Sequence, residues 1–296
     1  MTTKDRSLAA LGLDDVPVER PLTYPGRPAP EPALLDGDEL LRLDVRPLRL
    51  GGWPVADHPD RPSLDEALTA LGRPVTGRRH PVVSVGSNSS PGQLAHKLTR
   101  LGIATTVPMV PVRVRGIGVG CAGHISPAGY VAGTPYIERT ADTTLVVSWL
   151  DSTQLRALDS TEFPRYRRAV LPGDVFELTM PSGERLGGAY IYFGVRGVLA
   201  DADTRRPVPG GGDQSELLAG LLSRSARLRE LLGPDPAGWT RRIRADEALR
   251  VRATQVLGEA GWVLPQTDFL PYADESAALW SYDDLPALDG SLPDLA

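Results

Sequence analysis

Glu162 ends the run Leu158-Asp159-Ser160-Thr161-Glu162, and what marks it is its spacing from the leucines before it. Leu155, Leu158 and Glu162 stand at i, i+3 and i+7, on one face of a helix, so a carboxylate sits on the stripe that should meet the core. An unpaired carboxylate there is costly. It either finds hydrogen-bond partners or has its pKa raised toward neutrality, where it can take and return protons. Glu162 is therefore a candidate general acid/base. The competing reading is a surface glutamate just past the helix end, since Pro164 discourages helix at Phe163. Arg165, Arg167 and Arg168 are close enough in sequence to pair with it, which would lower its pKa.

A second constellation lies well upstream. Gly86-Ser87-Asn88 follows a β-branched run and precedes Ser90-Pro91, an N-cap followed by proline at the first helical position. A turn between a strand and a helix start aims several backbone N–H groups and the positive end of the helix dipole at one point, which favours a carboxylate or phosphate. Gly86 allows close approach to the main chain. The plainer reading is that these residues only cap the helix and close the turn. No G-x-x-x-x-G-K-[ST] follows, so a nucleotide P-loop is excluded, and Gly116-Ile117-Gly118-Val119-Gly120 has the wrong spacing for a dinucleotide fingerprint.

The elements that must position these groups are legible nearby. Residues 81–85 and 143–150 read as strands. Leu94, Leu98 and Leu101 give the helix after Pro91 an apolar face. Asp151 with Gln154 three residues on is a capping-box pattern for the helix that carries Glu162. Residues 166–171 and 186–193 are strand-like; Tyr166, Tyr190 and Tyr192 within them are expected to pack in the core. Cys121 and His124 suggest a nucleophile–base pair, but residues 112–121 alternate like a strand, where positions three apart face opposite ways; Cys121 reads as buried and inert. His58, His80, His96 and His124 show no ligand spacing, and His96 falls off the apolar stripe of its helix, at a rim or in solvent.

In Gly86-Ser87-Asn88 and in the segment from Leu158-Asp159-Ser160-Thr161-Glu162 through Phe163-Pro164-Arg165-Tyr166-Arg167-Arg168, the chain resembles the γ-glutamylcyclotransferase-like superfamily. The glutamate-to-tyrosine gap is most similar to its plant-and-bacterial and γ-glutamylamine branches. The resemblance covers residues 78–197. It implies an α/β fold: a small mixed, partly closed, barrel-like sheet with flanking helices, extended at both ends. It also implies that the backbone of Val85, Gly86, Ser87 and Asn88 holds the α-carboxylate of a γ-glutamyl group, with Glu162 as the catalytic carboxylate and Tyr166 beside it. Arg168, two residues on along a strand, shares the face of Tyr166 and is either a residue that orients a carboxylate or a plain surface arginine. In that chemistry the substrate's α-amine attacks its own γ-carbonyl, closing 5-oxoproline and expelling an amine, with no cofactor and no metal. Val85 stands where the family has tyrosine, removing an aromatic wall or hydroxyl; Ser89 and Phe163 also depart from the pattern. Related amide transfer or hydrolysis, and a non-catalytic amino-acid-binding module, stay open as alternatives.

Composition fits a cytoplasmic enzyme, and the resemblance implies a small-molecule substrate with a free α-amino acid end. With 32 Lys+Arg against 37 Asp+Glu, the net charge of −5 argues against a nucleic-acid partner. No apolar run reaches membrane-spanning length and Met1 to Arg6 leads to no apolar h-region. Cys121 is the single cysteine, which rules out an intrachain disulfide. Lysine occurs only at Lys4 and Lys97 amid plentiful arginine, a composition of GC-rich bacterial codons.

Three stretches follow: a proline-rich extension over 1–77, the family-like unit over 78–197, and 198–296. The first holds one clear helix, 63–71, capped by Ser63. In the last, Pro209-Gly210-Gly211-Gly212 reads as a loop, followed by amphipathic helices over 214–232, stopped by Gly233-Pro234, and 245–260, stopped by Gly261. This helical pair is expected to form a wall of the pocket. The acidic end, 268–296, mixes Trp280, Tyr282 and leucines with aspartates and reads as a docking strap or a disordered tail.

Overall fold

The structure is a computed structural model and describes residues 5–274, 276 and 278–288. The N-terminal stretch forms α1 (Leu8–Leu11), β1 (Ala33–Asp36), β2 (Glu39–Arg42) and α2 (Leu64–Ala70). The middle supplies β3 (His80–Ser84), α3 (Pro91–Arg100), β4 (Val107–Ile125), β5 (Val131–Leu150), α4 (Ser152–Glu162), β6 (Tyr166–Pro172), β7 (Leu178–Thr179) and β8 (Gly188–Gly194). Then come β9 (Val198–Leu199), α5 (Gln214–Arg224), α6 (Ala226–Leu232), α7 (Pro236–Ala245), α8 (Glu247–Glu259) and β10 (Val263–Leu264).

These elements make a mixed α/β fold around a large, mostly antiparallel sheet in the order β10-β9-β4-β5-β3-β8-β6. β1 and β7 also pair with β4, and β2 with β1. β3 and β8 run parallel, with Val82 opposite Tyr190. The path is open, with β10 at one end and β6 at the other; the closure expected of a barrel-like sheet is not formed among the described residues.

The period-2 pattern of the strands builds a core on each side of the sheet. On β5, Leu145, Val147 and Trp149 join one core, with Val83, Ala189, Ile191 and Trp53. Val146 and Leu150 point the other way, with Val82, Tyr190 and Tyr192, and there they meet Leu94 and Leu98 of α3 and Leu155 and Leu158 of α4. The tyrosines expected in the core are there: Tyr166, Tyr190 and Tyr192 are buried. Leu101 is not on the apolar face assigned to it. It caps α3, ahead of a left-handed turn at Gly102, and is 45% exposed.

The start of α4 is fixed to the sheet by an unusual number of polar contacts. Asp151 and Gln154 form the capping box read from sequence. Gln154, itself buried, also donates to the carbonyls of Ala104 (2.7 Å) and Thr106 (3.2 Å). The buried Arg79 guanidinium reaches the carbonyl of Trp149 at 3.1 Å and Gln154 Oε1 at 3.3 Å, tying strand ends and helix start together. The glycine run at 116–120 lies inside β4.

Ser63 caps α2 in a reciprocal box with Glu66, as expected. The helix expected over 214–232 is two, because Ser225 adopts an extended conformation and caps α6 through a hydrogen bond from Leu228 N–H. A helix unread in the sequence, α7, begins at Asp235-Pro236, the same N-cap and proline signature seen at Ser90-Pro91. α5 to α8 enclose their own core with Ile125 and Val131 from the ends of β4 and β5. The acidic end runs as a strap as far as residue 288: Phe269 stacks on Phe193, and Tyr282 N–H donates to the Arg79 carbonyl. Residues 289–296 of that stretch lie outside the described residues, as do residues 1–4. Among the described residues, no helix is long and apolar enough to cross a membrane.

Candidate active site

β3, fully buried, delivers the chain to Gly86, and residues Ser87–Ser89 form a single 3-10 turn before α3. Within it Ser89 N–H donates to the Gly86 carbonyl and Ser90 N–H to the Ser87 carbonyl. The leading amides, of Ser87 and Asn88, have no acceptor inside the turn. Ser90 holds the N-cap position of α3, but its side chain makes no capping bond. Glycine is needed at 86 for a steric reason. A Cβ there would collide with the hydroxyl of Tyr24, so the close approach expected at Gly86 is made by a side chain of the protein itself.

Glu162 is the last residue of α4, and the buried Leu155 and Leu158 turn it inward; its side chain is 15% exposed. It does not stand alone. Asn88 Nδ2 donates to Glu162 Oε1 at 3.0 Å, Lys97 Nζ donates to the same oxygen at 3.0 Å, and Lys97 also donates to Asn88 Oδ1 at 2.8 Å. Turn, helix α3 and helix α4 thus meet in a closed triangle of three side chains. Both bonds fall on Oε1, leaving Oε2 with lone pairs to offer.

The charge state follows from competing effects. Burial pushes the Glu162 carboxyl up, but the Lys97 ammonium, the Asn88 amide and Arg165 together outweigh it and hold the pKa below the usual glutamate value. Of the two outcomes open to a carboxylate on that stripe, Glu162 shows the first, hydrogen-bond partners, and the lowering comes chiefly from Lys97 rather than from the nearby arginines. Lys97 was not singled out from sequence as a site residue. The available signal was its position three residues after Leu94, on the inward side of α3.

The triangle lies in a cavity of about 440 Å³. Tyr24, from the N-terminal stretch, stacks on Tyr130 with ring centroids 4.3 Å apart, and its hydroxyl accepts from Gly133 N–H at 2.5 Å. The aromatic wall and hydroxyl that Val85 cannot supply are therefore provided next to the turn by a residue far away in sequence. Tyr166 also lines the cavity, donating to the Gly133 carbonyl at 3.1 Å. Burial, reinforced by Tyr24, Glu162 and Tyr130, pushes its hydroxyl well above the ordinary phenol pKa, so it remains a neutral donor.

His124 reaches the same cavity, edge-on to Tyr166 at 5.6 Å. It is 3% exposed and its Nδ1 has no hydrogen-bond partner among the described residues. Burial, with Arg196, Arg165 and Arg250 nearby, lowers its pKa to about 4, so the ring is neutral near pH 7. His96 lies at the rim, 3.8 Å from Glu19, as its place off the stripe suggested.

Val85, Gly86, Ser87, Asn88, Tyr166 and Glu162 are brought to one cavity; Arg168 is not. Its guanidinium is buried against Asp159 (2.5 Å) and Asp274 (3.0 Å) and lies over the Tyr190 ring, behind α4. Arg168 orients carboxylates of the protein, which leaves it no part in holding a substrate. Cys121 is buried away from the cavity, and burial pushes its thiol up to about 12. The helical pair does not wall the pocket either, since every lining residue lies at or before Tyr192. Instead α7 backs the β4–β5 turn: Trp239 Nε1 donates to the Gly129 carbonyl at 2.9 Å, beneath Ser126 to Tyr130. Among the described residues, no group of three or more His, Cys, Asp or Glu side chains is placed to hold a metal ion.

No protein-family model and no curated protein matches the chain. Among solved structures it is similar to a gamma-glutamyl cyclotransferase at 9% identity and a TM-score of 0.34, covering 60% of this chain and 98% of that one. It is similar to an Arabidopsis thaliana protein at 17% identity and a TM-score of 0.33, covering 54% of this chain and 86% of that one. An uncharacterized human protein matches at 14% identity and a TM-score of 0.31, over 39% of this chain and 66% of that one, just under two thirds of its length.

Proposed function

We propose that the chain is a γ-glutamylcyclotransferase-like enzyme that releases a γ-glutamyl or similar aminoacyl group from an amine as 5-oxoproline. The observation that carries this reading is the triangle of Glu162, Asn88 and Lys97 beside the amides of the Gly86 turn. The turn holds the substrate's α-carboxylate, which places its α-ammonium toward Glu162. An ionised Glu162 takes a proton from that ammonium, and the freed amine attacks the γ-carbonyl carbon. The bond from that carbon to the leaving nitrogen breaks as the ring closes. Two protons leave the attacking nitrogen and two reach the leaving amine, with Glu162 as the carrier. No covalent enzyme intermediate is required, because nucleophile and electrophile belong to one molecule and the protein's contribution is orientation and proton transfer.

The test is a panel of γ-glutamyl amines and γ-glutamyl amino acids, scored for 5-oxoproline by mass spectrometry. The expected result is product from at least one member, and in Glu162→Gln a fall in kcat of about a hundredfold or more, as for loss of a general acid/base. Full activity in Glu162→Gln would refute the mechanism.

A non-catalytic amino-acid-binding module is the second reading, and the ion pair favours it: a carboxylate beside an ammonium and an anion cradle is complementary to a zwitterion. Tight binding of one amino acid with no product across the panel would select it.

A further inference from the structure

We propose that Lys97 is a carboxylate-binding residue that couples occupancy of the cradle to the basicity of Glu162, so that the base becomes effective only when a carboxylate is seated. The inference rests on the placement of a ligand carboxylate at the Gly86 turn, but not on cyclisation.

An ammonium has three N–H donors. Lys97 uses two, toward Glu162 Oε1 and Asn88 Oδ1. The third has no partner among the described residues, while Lys97 lines the cavity and its side chain is only 15% exposed. Asn88 belongs to the cradle itself and is bonded to both ends of the ion pair, so a carboxylate at the Ser87 and Asn88 amides lies within one side chain of Nζ. The third donor is thus available to an anion seated at those amides.

The electrostatic consequence has a definite sign. With the cradle empty, the Lys97 charge keeps Glu162 ionised, which makes it a weak base. A ligand carboxylate beside Nζ neutralises much of that field and adds a like charge near Glu162. Both changes raise the affinity of Glu162 for a proton. Burial already pushes the same way, so the buried acid reverts toward a base suited to an α-ammonium.

The residue type is informative. In a chain whose other lysine is Lys4 and whose remaining basic residues are arginines, the cation at this position is an ammonium. A guanidinium spreads its charge over a planar fork suited to one bidentate partner, whereas an ammonium divides three donors among three partners.

The experiment uses the full chain with glutarate, which carries carboxylates but no amine and cannot cyclise, and follows the Glu162 side-chain carbon by 13C NMR, assigned with Glu162→Gln. In the wild type, saturating glutarate is expected to raise the Glu162 midpoint by about a unit or more, the size of a nearby charge effect. In Lys97→Met the midpoint should already be raised without ligand, and glutarate should bind about tenfold more weakly or worse, as for loss of a charged hydrogen bond. An unmoved midpoint in the wild type, no glutarate binding to it, or undiminished binding to Lys97→Met would each overturn the inference. The wild-type arm needs no Lys97 variant, and Lys97→Gln repeats the binding arm if Lys97→Met fails to fold. Coupling with no 5-oxoproline from any substrate would sustain it while defeating the cyclotransferase reading.

Discussion

Single residues in the cavity divide into those that carry charge and those kept neutral. Glu162 and Lys97 are ionised partners, whereas Tyr166 and His124 are held neutral by burial. His124 leaves a signature in stability. Its folded pKa, about 4, lies below the ordinary histidine value of 6.5, so the unfolded chain binds the proton more readily. As pH falls from 6.5 toward 4, protonation therefore favours unfolding. The loss is of order 3 kcal/mol by linkage. Urea denaturation of His124→Gln across that range is expected to show a flatter decline than the wild type, and equal slopes would contradict the buried neutral state. Glu162 contributes in the same direction. Its lowered pKa gives stability that is present above the unfolded value and lost as pH falls through the folded one. Glu162 and the turn were readable because a carboxylate on an apolar stripe and a glycine between strand and helix are local patterns. Lys97 was not, since a lysine beside leucines reads as a solvated helix edge until another element brings a carboxylate to it. Arg168 was misplaced for the opposite reason: strand alternation gave its face correctly but not the two aspartates waiting there.

Helices and strands decide whether those residues meet. α4 brings Glu162 inward because its first turn is fastened to β-strand ends through Gln154 and Arg79, and its leucines then set which face is buried. Replacing Gln154 with alanine removes the reciprocal cap and takes the side-chain donor from the Ala104 carbonyl, while the Thr106 carbonyl keeps Arg79. The expected cost is roughly 2–3 kcal/mol. Thermal unfolding should show a lower Tm for Gln154→Ala, and an unchanged Tm would mean that the packing of Leu155 and Leu158 alone holds the helix. The capping box was legible from Asp151 and Gln154. Gln154's contacts across 48 and 50 residues of sequence were not, because nothing local encodes them. The break at Ser225 shows a similar limit: the leucines of α5 and α6 keep a helical spacing through it, and only the serine's capping habit marks the boundary.

The whole molecule explains why a site that resembles a family over 78–197 sits in a longer chain. The N-terminal stretch adds β1 and β2 to the sheet and sends Tyr24 into the cavity, 109 residues from the Gly133 amide it accepts from. The C-terminal helices do not touch the cavity but support the turn between β4 and β5 that does. Among the described residues of the acidic end, Asp274 N–H donates to the Arg168 carbonyl of β6 and Trp280 N–H to the Tyr190 hydroxyl of β8. Such contacts are invisible to periodicity, which reports the face of an element and not the partner it meets. The proposed function makes the substrate's own amine the nucleophile in this cavity. The most direct measurement is turnover of a reactive γ-glutamyl amine in 18O-labelled water, with mass spectra of the products. Intramolecular attack predicts 5-oxoproline without the label, released one for one with the amine and lost in Glu162→Gln. Labelled glutamate would contradict the account, because water would then have been the nucleophile.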